Sequence, residues 1–193
     1  MGPFEYVMTL VSIVVGLALT HVLSALGSAV HRLRHGPPIR LDAVYLLWVG
    51  FVLAWLLSFW WWEFKFHELD IKWTFGLYLF VILYAVVLFL MAVILVPRDM
   101  DGVHDSYAYF MAGRRWFFGS LLLANAVDFA DSLLKGTAWA LRPDYLVQVA
   151  VYIAAAALGV ATERRTVQLG IAAVMFALQV VYTWDVLDIL GSW

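Results

Sequence analysis

Six long apolar stretches separated by short polar punctuation set the pattern of the chain: Phe4 to Val30, Ala43 to Trp62, Trp73 to Val96, Trp116 to Leu134, Tyr145 to Ala161 and Val167 to Leu190. Each approaches or exceeds the ~20 residues that an α-helix needs to cross a bilayer. A barrel would show ~10-residue alternating segments instead. The pattern therefore predicts an all-α integral membrane protein, a six-transmembrane-helix bundle with short loops. The spans leave too little chain for a soluble catalytic domain, so residues 1–193 read as a single transmembrane domain.

Proline and glycine punctuate the connections, as in Gly36-Pro37-Pro38 and at Pro97. Only Pro97 to Arg115 is long enough for structure of its own. Within it, DSYAYFMAGRR predicts a short interfacial helix at about 105–114, capped by Asp105, with Tyr107, Phe110 and Met111 toward lipid. The first stretch reads as a span and not a signal peptide, because it lacks a basic leader, carries Glu5 and exceeds the ~7–15 apolar residues of a signal core.

Composition agrees with the pattern. The chain is 65% hydrophobic and 13% charged, against ~25% charged in soluble domains. Lys and Arg are unevenly placed. The loops after spans one, three and five hold Arg32, Arg34, Arg40, Arg98, Arg114, Arg115, Arg164 and Arg165, whereas the other side holds Lys65, Lys72, Lys135 and Arg142. Positive-inside bias then puts both termini outside, in the periplasm of a bacterial inner membrane. Acids are biased the other way: Glu5, Glu63, Glu68, Asp70, Asp128, Asp131, Asp144, Asp185 and Asp188 fall in the outer half or beyond. Trp60, Trp61, Trp62, Trp73, Trp139, Trp184 and Trp193 gather at the same side, as an interfacial belt does, with Trp116 near the inner interface.

Familiar chemistry is absent from the sequence. There is no nucleophile elbow, P-loop, HExxH or Rossmann glycine run. The run from Asp99 to Asp105 has its glycine at the wrong place for an EF-hand. With no cysteine, thiolate metal sites and disulfides are excluded. A haem between helices would need two deep axial ligands, and only His21 is deep; a retinal-type Schiff base would need a mid-span lysine, and there is none. No cofactor is expected, nor nucleic acid as a partner. The expected surroundings are the bilayer and either further copies of the chain or the other subunits of a membrane complex.

The informative residues are polar ones inside spans. Glu5, Thr9, Ser12, Gly16, Thr20, Ser24 and Gly27 form one drifting stripe along span one. It serves either as a small-residue packing seam or as a polar lane. In span four Asn125, Asp128, Asp131, Ser132 and Lys135 share an arc of roughly 120°. A charged Asp near a helix centre costs ~2.5–3.5 kcal/mol on insertion scales, so this face turns inward. Asp131 and Lys135 suit an i, i+4 ion pair; Asp128 has no such partner on its own helix. Counting ~1.5 Å per residue places His21 level with Asn125, and Asp128 level with Gln179, with Tyr152 within a turn. The expectation is a midplane polar cluster from spans one, four, five and six. Small residues suit span five to the interior, and spans two and three are expected to be the more lipid-facing.

Three functions fit these residues. The first is a channel or an ion- or proton-coupled transporter, with Asp128 and His21 as titratable elements. Asn125, Gln179, Tyr152, Asp131, Thr20, Ser24 and Glu5 are its further pathway candidates. The second is a non-catalytic accessory or assembly subunit, in which the polar cluster joins helices. The third, a lipid or quinone enzyme using Glu63, His67 and Glu68, has no motif behind it, and the chain is read as not being an enzyme.

Overall fold

The computed structural model describes residues 2–69 and 71–187, with side chains as far as Trp184. Asp70, Asp188 and Trp193, the end of the sixth stretch at Leu190 and the Asp185 side chain lie outside the described residues. Six helices are long and apolar enough to span: α1 (Pro3–His35), α2 (Ala43–Glu63), α4 (Phe75–Leu95), α5 (Ser106–Lys135), α7 (Pro143–Ala161) and α8 (Arg165–Leu187). Two four-residue helices, α3 (Lys65–Glu68) and α6 (Thr137–Ala140), follow the ends of α2 and α5. The protein is an all-α six-helix membrane bundle.

Local chemistry explains where the helices begin. Free N–H groups at a helix start need acceptors. Asp42 supplies one to Val44 at 2.9 Å, Thr74 to Leu77 at 3.2 Å, and Asp105 to Tyr107 and Ala108 at 2.8 and 3.1 Å. Pro3 and Pro143 occupy first-turn positions, where no N–H is missed. The helix expected at 105–114 does start at Asp105. It then runs without a break into the fourth span, as one helix of 30 residues.

We call the end at which α1 and α4 begin, and α2 and α5 finish, the upper end. There Phe4 packs on Phe64, His67 and Trp73. At the lower end Arg165 pairs with Asp42 at 2.7 Å, Arg114 with Glu163 at 2.6 Å, and Arg32 donates to the carbonyls of Met100 and Val103. These contacts tie the loop at 97–105 and the start of α8 to the helix ends.

The centre of the bundle is α2, which packs on α8, α1, α4 and α5. Its Trp48 packs on Phe51 of the same helix and on Phe110, Phe117 and Phe118 of α5, with ring centroids 4.9 to 6.3 Å apart. All five rings are buried. Aromatic layers of this kind fill space densely, and the one polar group these five rings carry is the buried indole N–H of Trp48.

Three expectations about the spans are corrected. Span two does not face lipid, since α2 is the most buried of the six; α4 is mixed, exposing Leu79, Leu83 and Leu90 while contributing Tyr84 to the polar site. A helix that is apolar all round belongs in the interior as readily as in lipid. Span one is not part of a central cluster. It packs on α4 and α2, and its Thr9, Ser12, Thr20, Ser24 and Gly27 are exposed. Thr9 and Ser12 hydroxyls donate to the carbonyls of Glu5 and Met8 on their own helix, at 2.8 and 2.7 Å. A hydroxyl satisfied this way can face lipid, so its presence does not mark an inward face. Span five, read as interior, is peripheral as well: α7 packs on α5 and α8, and closeness is confined to a face where Gly159 meets Phe118.

Candidate functional site

Polar side chains from five helices meet in the upper half of the bundle. Asp128 stands seven residues before the end of α5, about 10 Å down the helix. Its two carboxylate oxygens accept from two phenols, Tyr84 of α4 and Tyr145 of α7, each at 2.7 Å. Ser132, a turn above Asp128, donates to the Tyr145 hydroxyl at 3.0 Å. Both partners of Asp128 are neutral.

A second network faces it. Tyr152 of α7 donates to Gln179 of α8 at 2.7 Å, and the Gln179 amide donates to Ser58 of α2 at 3.1 Å and to Thr183 at 3.3 Å. Ser58 in turn donates to the Trp55 carbonyl at 3.2 Å. Between the two networks lies a cavity of about 40 Å³, lined by Asp128, Tyr84, Tyr145, Tyr152, Gln148 and Gln179 among others, with Trp55, Phe59 and Trp62 as aromatic walls. A water needs about 10–15 Å³ of such space, so the cavity has room for one small polar group. The Gln148 carbonyl oxygen is buried without a donor. The walls therefore offer acceptors in excess.

Above the cavity Lys135 of α5 is buried between Asp131 and Glu63. It pairs with Glu63 at 3.0 Å and with Asp131 one turn back on its own helix. Trp62 donates its indole N–H to Asp131 at 2.8 Å, and the Lys135 ammonium lies 4.5 Å from the Trp62 ring and 4.6 Å from the Phe66 ring. Two buried carboxyl groups, Glu63 and Asp131, and the half-buried Asp128 thus share the region with one ammonium. Desolvating ions costs several kcal/mol each, so a region with carboxylates in excess favours added positive charge.

The candidate residues distribute as follows. Asp128, Tyr152 and Gln179 line one cavity, and Asp131 sits in the ion cluster above it. Asn125 is buried a turn below Asp128 and outside the cavity wall. His21 is elsewhere: its Nε2 lies 2.9 Å from the Val96 carbonyl at the lower end of α4. Tyr84 and Val96 are twelve residues apart on that helix, so His21 is roughly 18 Å below Asp128. The common depth expected for His21 and Asn125 fails because α5 begins at Ser106, ten residues before Trp116, and so lifts Asn125 further from the lower end than the five-residue extension of α1 to His35 lifts His21. Glu5, Thr20 and Ser24 lie on the exposed face of α1. The Glu5 carboxylate accepts from the Gly2 N–H at 2.8 Å.

Several site residues were not legible as such. Glu63 stood only as an interfacial acid; it is fully buried, whereas His67 and Glu68 beside it are exposed. Trp62 holds Asp131 as well as lying at the belt level. Tyr84 and Ser58 are the polar atoms of otherwise apolar segments, and that isolation was the available signal. Among the described residues no three His, Asp or Glu side chains converge as a metal-ligand set. Comparison of the chain with protein-family models, with curated proteins and with solved structures finds no match.

Proposed function

We propose that the chain is a small transporter of monovalent cations, loaded at Asp128 from the upper end. The observation that carries this reading is the cavity at Asp128, a carboxylate held only by neutral phenols, above a layer of buried aromatic rings. A cation entering the cavity meets a carboxylate and the faces of Trp55 and Trp62, both attractive to positive charge. The aromatic layer below favours a carrier that must rearrange over an open channel. The arginines at the lower end support an orientation with that end in the cytoplasm of a bacterial inner membrane and the cavity on the outer side.

The test is uptake of labelled methylammonium, and of protons, into proteoliposomes under an imposed gradient. Uptake above protein-free vesicles that is lost in Asp128→Asn supports the reading. Flux that is unchanged by Asp128→Asn rules out this site.

A second reading, a non-catalytic accessory subunit or a homo-oligomer, draws on α1. Gly16 and Gly27 have nothing within 4 Å of where a Cβ would stand. Small residues on an outward helix face suit close approach of another helix. Gentle detergent extraction followed by native mass measurement separates the readings, because Gly16→Leu would disperse an assembly seated on α1 and leave cation uptake by a monomer unchanged.

A further inference from the structure

The cavity at Asp128 lies beside a groove in the bundle's lipid-facing surface. This groove, of about 410 Å³, runs between α2 and α8 near their upper ends and is lined by Ala54, Leu57, Trp61, Val180 and Trp184. Leu57, Val180 and Trp184 are exposed there, as side chains against lipid are. Two further residues of the groove, Ser58 and Thr183, also line the cavity. An apolar groove that suits a chain therefore abuts a polar compartment that suits a head group, with the small side chains of Ser58 and Thr183 at the boundary. The compartment presents acceptors, the Asp128 carboxylate and the unpartnered Gln148 carbonyl, with aromatic faces around them. Acceptors and π-faces without a spare positive charge select a donor-bearing cation. The cavity of about 40 Å³ has room for an –NH3+ group, whose three N–H donors these acceptors can take, whereas a head bearing three methyl groups has no donor to offer.

We propose that the site takes amphiphilic primary amines in their protonated form, which enter sideways from the membrane with the alkyl chain in the α2–α8 groove and the ammonium at Asp128. This rests on the cation reading of the same cavity and names the substrate class. The alkyl chain is held by apolar burial on Leu57, Val180 and Trp184. The ammonium donates to Asp128 and Gln148.

The experiment is equilibrium binding of labelled octylammonium to the purified chain in phosphatidylcholine nanodiscs, with empty nanodiscs subtracted. Octyltrimethylammonium, octanoate and methylammonium are run beside it. Octylammonium is expected to bind at least tenfold more tightly than the other three, and Asp128→Asn is expected to remove that preference. Val180→Trp, at an exposed position that fills the groove, is expected to weaken octylammonium at least tenfold and leave methylammonium unchanged. Methylammonium binding as tightly as octylammonium, or octylammonium binding that ignores Val180→Trp, overturns the lateral amphiphile and leaves the cation site standing. Failure of every ammonium to bind overturns both. Equal binding of octyltrimethylammonium overturns the requirement for an N–H donor and with it the primary amine.

Discussion

Tyr84 on α4 and Tyr145 on α7 reach the same carboxylate from opposite sides, each donating to Asp128 at 2.7 Å. Asp128 therefore joins three helices through neutral hydrogen bonds and keeps its charge unopposed by a direct ion pair. This separates it from Asp131, three residues on, whose carboxylate is held by Lys135 and Trp62.

Because both phenols end on one side chain, their contributions should be coupled to it. Tyr84→Phe is expected to destabilise the wild-type bundle by about 0.5–2 kcal/mol, in line with hydrogen bonds between membrane helices. In an Asp128→Asn background the same change is expected to cost less, with a coupling energy of about 0.5–3 kcal/mol. Reversible unfolding of the four variants in mixed micelles measures it. Additive losses would mean that the two side chains act independently.

Removing the buried ammonium is expected to be more severe. Lys135→Met leaves Glu63 and Asp131 buried without their common partner, at a cost of about 3–5 kcal/mol. Replacing the group as a whole, with Glu63→Met and Asp131→Leu added, is expected to recover most of that stability, since a buried ion cluster is often no more stable than apolar side chains of similar volume. The midpoint of thermal unfolding in detergent reports both. A single variant as stable as wild type would contradict the burial of the cluster.

What the sequence carried well was anything set by long apolar runs and helix signals: six spans, the Asp105 cap and the pairing of Asp131 with Lys135. What it carried poorly was which helix sits in the middle. The polar content of α1 drew it inward, yet Thr9 and Ser12 are satisfied by their own helix and face out. The apolar uniformity of α2 drew it outward, yet its large rings fill the core. Burial within lipid depends on shape and close packing, because lipid is as apolar as leucine, and hydropathy alone does not rank the spans. Glu63 was missed for a related reason: an acid at a span end looks solvated until the lysine of another helix is placed against it.

Glycines separate tight from open helix faces. A Cβ at Gly159 would lie 2.1 Å from the Phe118 ring, which is itself locked in the aromatic layer. Gly159→Ala is expected to destabilise by about 1–3 kcal/mol through overpacking. Gly27→Ala meets nothing within 4 Å and is expected to stay within about 0.5 kcal/mol of wild type. The two thermal shifts, measured side by side, test whether α7 seats on α5 through Gly159.

The Gln179 amide bridges α7 to α2, accepting from Tyr152 and donating to Ser58. Gln179→Leu removes both bonds and leaves the Tyr152 hydroxyl buried with less to bond to, at an expected cost of about 1–3 kcal/mol. Tyr152→Phe in the same background is expected to recover part of it, which unfolding in mixed micelles would show. No recovery would mean that the Tyr152 hydroxyl finds another acceptor.

The central claim is that the Asp128 cavity is selective for positive charge, and the absence of cysteine from the chain allows a direct measurement. Thr183 lines both the cavity and the groove, so Thr183→Cys places the only thiol at their junction. In proteoliposomes, its reaction rate with 2-aminoethyl methanethiosulfonate is compared with that of the 2-sulfonatoethyl reagent, each corrected for reactivity with a free thiol. The ammonium reagent is expected to react at least tenfold faster, and the advantage is expected to vanish when Asp128→Asn is added. Equal rates for the two reagents, or an advantage that survives the loss of the Asp128 carboxylate, would contradict a cation site at Asp128.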